Sequence, residues 1–279
     1  GGLGDVYKRQ TLGPIIHNRH VTAHFAEKGV RELQEPEEAQ PGSVVVIRSH
    51  GISRAVYERL QVQDVEIVDA TCPFVKRIHK IVLRAEEQGR LPVIIGTKSH
   101  PEVQAIAGWC KHPLVFETPE ELSSWLQEDP ARCHLPLTMV SQTTSTQNLW
   151  ERCRKIIKKE CTNGEIFDTI CEATENRQKE ANELSQSCDA MVVIGDSMSS
   201  NTKRLAMICG QHCRDVVLVE DACGLDVSHF SSARSVGITA GASTPAWIIK
   251  EVNNIMSEEI KVETAQEEDF AELLEQSIK

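Results

Sequence analysis

The sequence predicts an α/β protein. Short β-branched runs recur along its length, amphipathic stretches separate them, and the polar clusters stand where the runs end. Strands are expected at 43–48 (SVVVIR), 65–69, 92–96 (PVIIG), 113–117, 136–141, 164–168, 190–195 (AMVVIG), 215–219 and 235–239. Helices are expected near 53–61, 73–89, 101–109, 119–127, 146–160, 174–187, 199–213 and 244–256. Near-continuous apolar runs of this kind belong to strands buried on both faces, which makes the sheet mostly parallel. There are too many strands for one small sheet.

Two strand ends look alike. Asp69-Ala-Thr-Cys72 and Asp168-Thr-Ile-Cys171 each close a run and each precede a helix, about 99 residues apart. Ligands of open α/β sheets bind beyond the carboxyl ends of the strands. Repeated α/β units would therefore bring such ends to one site, with the two cysteines facing each other.

Composition narrows the class. The chain has 279 residues, 40% hydrophobic and 25% charged, as in ordinary globular proteins. No run reaches membrane-spanning length, and the opening GGLGDVYKRQ has no signal-like apolar core, so a cytosolic protein without a membrane partner is expected. Residues 257–279 hold eight acids against two lysines, −6 of the total −11, which leaves the body at −5. That balance argues against nucleic acid as a partner of this part of the chain. Ten cysteines with no CxxC pair exclude a zinc ribbon or a ferredoxin-type run, and a cytosolic setting disfavours disulfides. A metal site would have to gather cysteines from distant segments.

The loops after the strands carry the chemistry. Ser199, Ser200, Asn201 and Ser243 supply hydroxyl and amide groups at helix N-termini, where free N–H groups favour an anion. Any one serine alone reads as a helix cap; Ser-Ser-Asn together with Gly-Ala-Ser reads as an anion site. His17, His50 and His100 can donate to phosphate oxygens. Glu102, beside a hydroxyl such as Thr143, can pass protons to a substrate or simply stabilise its own helix. Cys72 and Cys171 stand at helix starts, which favour the thiolate needed for metal ligation.

These segments resemble a known family. GPIIHN (13–18), SHGIS (49–53), DATCPFV (69–75), HPEV (100–103), SQTTS (141–145), DTICEATENRQ (168–178), SSNTKRL (199–205) and GITAGASTP (237–245) follow in the order of the LytB family, the 4-hydroxy-3-methylbut-2-enyl diphosphate reductases. The resemblance covers roughly residues 11–256. It implies a trefoil of three pseudo-repeated α/β domains around a central iron–sulfur site. The segments would be 1–10 (a foreign or misassigned leader), 11–72, 73–169, 170–256, and an acidic tail or linker at 257–279. It implies a [4Fe–4S] cluster held by three cysteines, with Cys72 and Cys171 as two of them. It further implies a substrate pocket lined by His17, His50, His100, Ser199, Ser200, Asn201 and Ser243, and a proton relay of Thr143 and Glu102. The activity implied is reductive dehydroxylation of an allylic diphosphate to isopentenyl and dimethylallyl diphosphate, with electrons from ferredoxin or flavodoxin. The family's opening strand and first cluster cysteine have no counterpart before Cys72, so an N-terminally truncated chain lacking one ligand is expected. The tail resembles a linker to RNA-binding repeats of the ribosomal-protein type. Two rival readings are a cluster-free diphosphate-binding protein and a hydrolase with Cys72 as nucleophile; the latter explains neither the repeated Asp-x-x-Cys nor the Ser-Ser-Asn loop.

Overall fold

The computed structural model describes residues 9–257; most of the expected leader and nearly all of the acidic tail lie outside the described residues. The chain forms two compact units, residues 1–175 and 176–279.

The first unit holds two parallel sheets. One has the order β2-β1-β3-β4, from β1 (Arg9–Leu12), β2 (Arg31–Leu33), β3 (Ser43–Ile47) and β4 (Val65–Asp69). The other has the order β6-β5-β7-β8, from β5 (Leu91–Ile95), β6 (Leu114–Phe116), β7 (Leu137–Ser141) and β8 (Gly164–Ile166). Its helices are α1 (Arg19–Glu27), α2 (Arg54–Gln61), α3 (Pro73–Glu87), α4 (Pro101–Ala107), α5 (Pro119–Glu128) and α6 (Gln147–Glu160). α7 (Glu172–Ser185) starts at the end of this unit and runs into the second. The second unit has one parallel sheet, order β10-β9-β11, from β9 (Ala190–Ile194), β10 (Asp215–Val219) and β11 (Val236–Ala240), with α8 (Ser200–Cys209) and α9 (residues 246–257).

Central strands explain the apolar runs. Every residue of β7 and β9 is buried, as sheets covered on both faces require. α3 buries Val75, Ile78, His79, Val82 and Ala85 along one stripe with the spacing of a 3.6-residue helix. Full burial of an aliphatic side chain such as Ile78 contributes about 1.5–3 kcal/mol.

Three elements were not expected from the sequence: β1, β2 and α1. β1 reads Arg-Gln-Thr-Leu, yet Gln10 is fully buried, its Oε1 accepting from Ser43 Oγ at 2.7 Å and from the Gln40 amide at 3.1 Å. Arg9 and Gln10, the last residues of the expected leader, thus form half of that strand. β2 has three residues, and α1 buries none of its side chains.

The registers place the site loops. Leu12 pairs with Ile47, Ile95 with Ser141, and Ile194 with Ala240. Parallel neighbours ending level with one another put the loops with His17 and His50 side by side. The same holds for the loops with His100 and Thr143, and for those with Ser199 and Ser243.

Candidate functional site

In the first unit, three histidines from three loops converge. The His17 and His50 rings lie 4.5 Å apart, His50 and His100 5.4 Å, and His17 and His100 5.7 Å. One ring nitrogen from each lies within 4.8 Å of the others, close enough to meet on one small group. Each is fixed locally. Asn18, next to His17, caps α1 by accepting from the His20 and Val21 amides, each at 3.1 Å. His100 caps α4: its Nδ1 accepts from the Glu102 amide at 3.1 Å. In the neutral ring this leaves the proton on Nε2, a donor for a ligand. His50 is held neutral, its pKa lowered to about 3 by burial first, then by His17, His100 and Arg48. An anion placed beside the ring would favour the charged form of His50 again.

Beside the histidines lies a buried carboxylate. Glu102 is 2% exposed and accepts from the Thr143 amide at 2.6 Å and from Thr143 Oγ1 at 2.7 Å. The Thr143 hydroxyl spends its proton on the carboxylate and keeps lone pairs for a substrate hydroxyl. Gln142 joins the two loops: its Oε1 accepts from the Thr97 amide at 3.2 Å and its Nε2 donates to Thr144 Oγ1 at 3.0 Å.

The second unit presents a different set. Ser199 caps α8, its Oγ accepting from the Thr202 amide at 3.4 Å, and Ser243 Oγ donates to Ser199 Oγ at 3.5 Å. Ser200 is half-buried at the first turn of the helix. Asn201 is 3% exposed, and both its side-chain Oδ1 and Nδ2 are buried without a hydrogen-bond partner among the described residues. An unsatisfied buried polar atom costs about 1–3 kcal/mol, so an orphaned amide at a helix N-terminus marks a place where a ligand completes the structure. Gly195, at φ +151°, permits this packing: a Cβ there would stand 2.6 Å from Thr202 Oγ1.

Comparison with known proteins agrees. The family model described as LytB protein matches residues 4–257. The chain belongs to the LytB family. A 4-hydroxy-3-methylbut-2-enyl diphosphate reductase from Caldanaerobacter subterraneus subsp. tengcongensis is 41% identical over 244 residues, 87% of this chain and 83% of the relative. A solved structure of (E)-4-hydroxy-3-methyl-but-2-enyl diphosphate reductase, described as the terminal enzyme of the non-mevalonate pathway, is 35% identical with a TM-score of 0.65. The match covers 90% of this chain and 88% of that one. The E-1-hydroxy-2-methyl-but-2-enyl-4-diphosphate reductase from Plasmodium falciparum is 25% identical with a TM-score of 0.82, over 89% and 78% of the two chains.

Iron–sulfur ligation needs thiolates, and burial sets four of the ten free cysteines apart. Burial pushes the thiols of Cys153, Cys161 and Cys209 up to about 11 and that of Cys110 up to about 12, away from the ligating form. Cys72 and Cys171 are half-buried, and neither side chain takes part in a hydrogen bond among the described residues. Their backbones tie them to the site: the Cys72 amide donates to Ser49 O at 2.9 Å and the Cys171 amide to Thr143 O at 3.0 Å. With their backbones tied to the His50 and Thr143 loops and their sulfurs uncommitted among the described residues, Cys72 and Cys171 fit as ligands of a soft iron site.

Two contributors escape a reading of the sequence. Gln142 falls in a strand-end loop but shows its bridging role only across 45 residues. Arg48, at a strand end, donates from Nε to Gly51 O at 3.3 Å and braces the His50 loop. No local pattern marks either one.

Proposed function

We propose that this chain is an oxidoreductase that converts 4-hydroxy-3-methylbut-2-enyl diphosphate into isopentenyl and dimethylallyl diphosphate. The observation that carries the reading is the buried Glu102–Thr143 pair beside three converging histidines, in a chain of the LytB family. Overall, two electrons and two protons enter, the allylic C–O bond breaks and water leaves. A [4Fe–4S] cluster, held in part by Cys72 and Cys171, supplies the electrons and a Lewis-acidic iron when bound.

The remaining roles fall to the chain. Asn201, Ser199, Ser200 and Ser243 take the diphosphate oxygens, using Asn201 Nδ2, the hydroxyls and the free amides of α8. His17, His50 and His100 donate from their ring N–H groups to substrate oxygens, and anionic charge there raises the His50 pKa from its depressed value. Glu102 takes up one of the two entering protons and passes it to Thr143 Oγ1, which in turn gives its own proton to the departing hydroxyl.

For the electron donor we propose a small acidic carrier protein of the ferredoxin or flavodoxin kind. Arg77, Lys80 and Arg84 lie exposed on α3, form no ion pair among the described residues, and run along the helix that Cys72 caps. Phe74 and Phe167 add exposed apolar surface.

The test is anaerobic reconstitution with iron and sulfide, followed by turnover with dithionite-reduced methyl viologen. Expected are a brown but substoichiometric chromophore, since two matched thiolates stand where three are needed, both five-carbon diphosphates in proportion to the cluster held, and a further fall of chromophore and acid-labile sulfide in Cys72→Ser and Cys171→Ser. A fully loaded protein that binds the substrate and releases neither product would overturn the reading in favour of a diphosphate-binding protein.

A further inference from the structure

We propose that the first unit carries a second ligand site, separate from the histidine cluster, which takes a small anionic amphiphile with a compact hydrocarbon body. The site is a cavity of about 270 Å³ between α2, α3 and the strand ends of β3 and β4.

Its walls fix the body of the ligand. Ile47, Ile52, Tyr57, Leu83 and Trp109 line it with apolar and aromatic surface. The indole is a rigid wall, because Trp109 Nε1 donates to Ile52 O at 2.9 Å and the ring stacks on His79 at 5.2 Å and 20°. A cavity of this size takes a compact body rather than a long acyl chain, with Thr71, His79 and two lysines on the wall beside the apolar surface.

Its polar groups fix the head. Lys76 and Lys80 lie one turn apart on α3 and both line the cavity. Lys76 is paired with Asp69 at 2.8 Å, whereas Lys80 has no ion-pair partner among the described residues. The lining therefore carries one uncompensated positive charge and calls for an anion. In the same wall His79 is 6% exposed, and its Nε2 is buried without a hydrogen-bond partner among the described residues. Burial also holds the ring neutral, with a pKa near 4. An orphaned imidazole nitrogen in an apolar wall is a polar anchor awaiting a ligand.

The cavity also touches the substrate machinery. Gly51, at φ +74°, rests on two of its lining residues: a Cβ there would meet His79 at 2.7 Å and Thr71 at 3.1 Å. Gly51 follows His50, and Thr71 precedes Cys72. A ligand that fixes His79 and Thr71 thereby fixes the loop carrying His50, so the site is placed to act as an effector site. Its existence needs neither cluster nor turnover.

Calorimetric titration of the full chain with geranyl monophosphate tests it, with geraniol and inorganic phosphate as the two half-ligands. Expected is one equivalent of geranyl monophosphate bound at least tenfold more tightly than either half. Lys80→Glu, at an exposed position, and Leu83→Trp, which fills the cavity, should each weaken it tenfold or more. Asn201→Leu, in the proposed diphosphate set, should leave it unchanged. Absence of binding, affinity no better than that of phosphate alone, or binding lost in Asn201→Leu and kept in Lys80→Glu would overturn the proposal. Loss of diphosphate binding in Asn201→Leu with geranyl monophosphate binding intact would show two independent sites.

Discussion

Asn201 offers the sharpest separation between a structural and a functional site. Its amide is 3% exposed with both polar atoms unpaired. Each unsatisfied atom costs the ligand-free fold about 1–3 kcal/mol, and a charge-assisted hydrogen bond to a ligand returns about 1.5–3 kcal/mol. Asn201→Leu keeps the volume and removes both orphans. A residue chosen for stability would lose from this change; a residue held for a ligand gains. We expect the ligand-free variant to be more stable than the parent by about 2–6 kcal/mol, about 1–3 for each atom relieved, at roughly 2–4 °C in melting midpoint for each kcal/mol. At about 1.4 kcal/mol per factor of ten, the same variant should bind inorganic diphosphate about 10- to 100-fold more weakly. Urea unfolding and calorimetric titration of one preparation give both numbers. A variant less stable than the parent, or one whose diphosphate affinity stays within threefold, would refute the argument.

Other outcomes follow from the same geometry. Glu102→Gln retains volume and one acceptor but sets an amide donor against Thr143. Turnover should fall about 10²–10⁴-fold with substrate affinity nearly kept, and single-turnover kinetics at constant cluster content check it. His50 is neutral in the fold at pKa about 3, against 6.5 when unfolded, so its contribution to stability is full above pH 6.5 and is lost as the pH falls towards 3. Between pH 7 and 5 this costs about 2 kcal/mol, which His50→Asn should abolish in urea titrations at the two pH values. Arg77→Glu with Arg84→Glu should weaken binding of a reduced acidic ferredoxin and its salt dependence while leaving turnover with methyl viologen within twofold; equal losses with both reductants would remove the docking face.

Much of this was legible because α/β folds put chemistry at strand ends. His50, His100, Thr143 and Ser199 each follow a β-branched run, and the parallel pairing that sets His17 beside His50, His100 beside Thr143, and Ser199 beside Ser243 is what such runs imply. β1 was not legible because its burial is achieved by satisfying polar groups: Gln10 and Thr11 look like loop residues until Ser43 and the Gln40 amide meet Gln10. The bracing by Gln142 and Arg48 is likewise a property of contacts between loops. In the Ser-Ser-Asn run, the sequence offers three equivalent helix-cap residues. The structure divides them, with Ser199 spent on the cap and Asn201 left over.

The repeated Asp-x-x-Cys has a physical cause and a third member. Asp69 Oδ1 accepts from the Thr71 amide at 2.9 Å, and Asp168 Oδ1 from the Ile170 amide at 3.3 Å. Asp196 Oδ1 accepts from the Met198 amide at 2.7 Å. Each carboxylate bonds the amide two residues on, the turn that aspartate makes with its own backbone. In each case the residue three on from the aspartate stands at the start of a helix: Cys72 before α3, Cys171 before α7, Ser199 before α8. The turn is what recurs, and the residue it delivers varies with the chemistry required. Twice it presents a thiol with no hydrogen bond, suited to iron. Once it presents a hydroxyl that caps the helix, and in the first turn beyond it Asn201 is left unsatisfied. The constant element is the aspartate, and a search for cysteines alone finds two of its three occurrences.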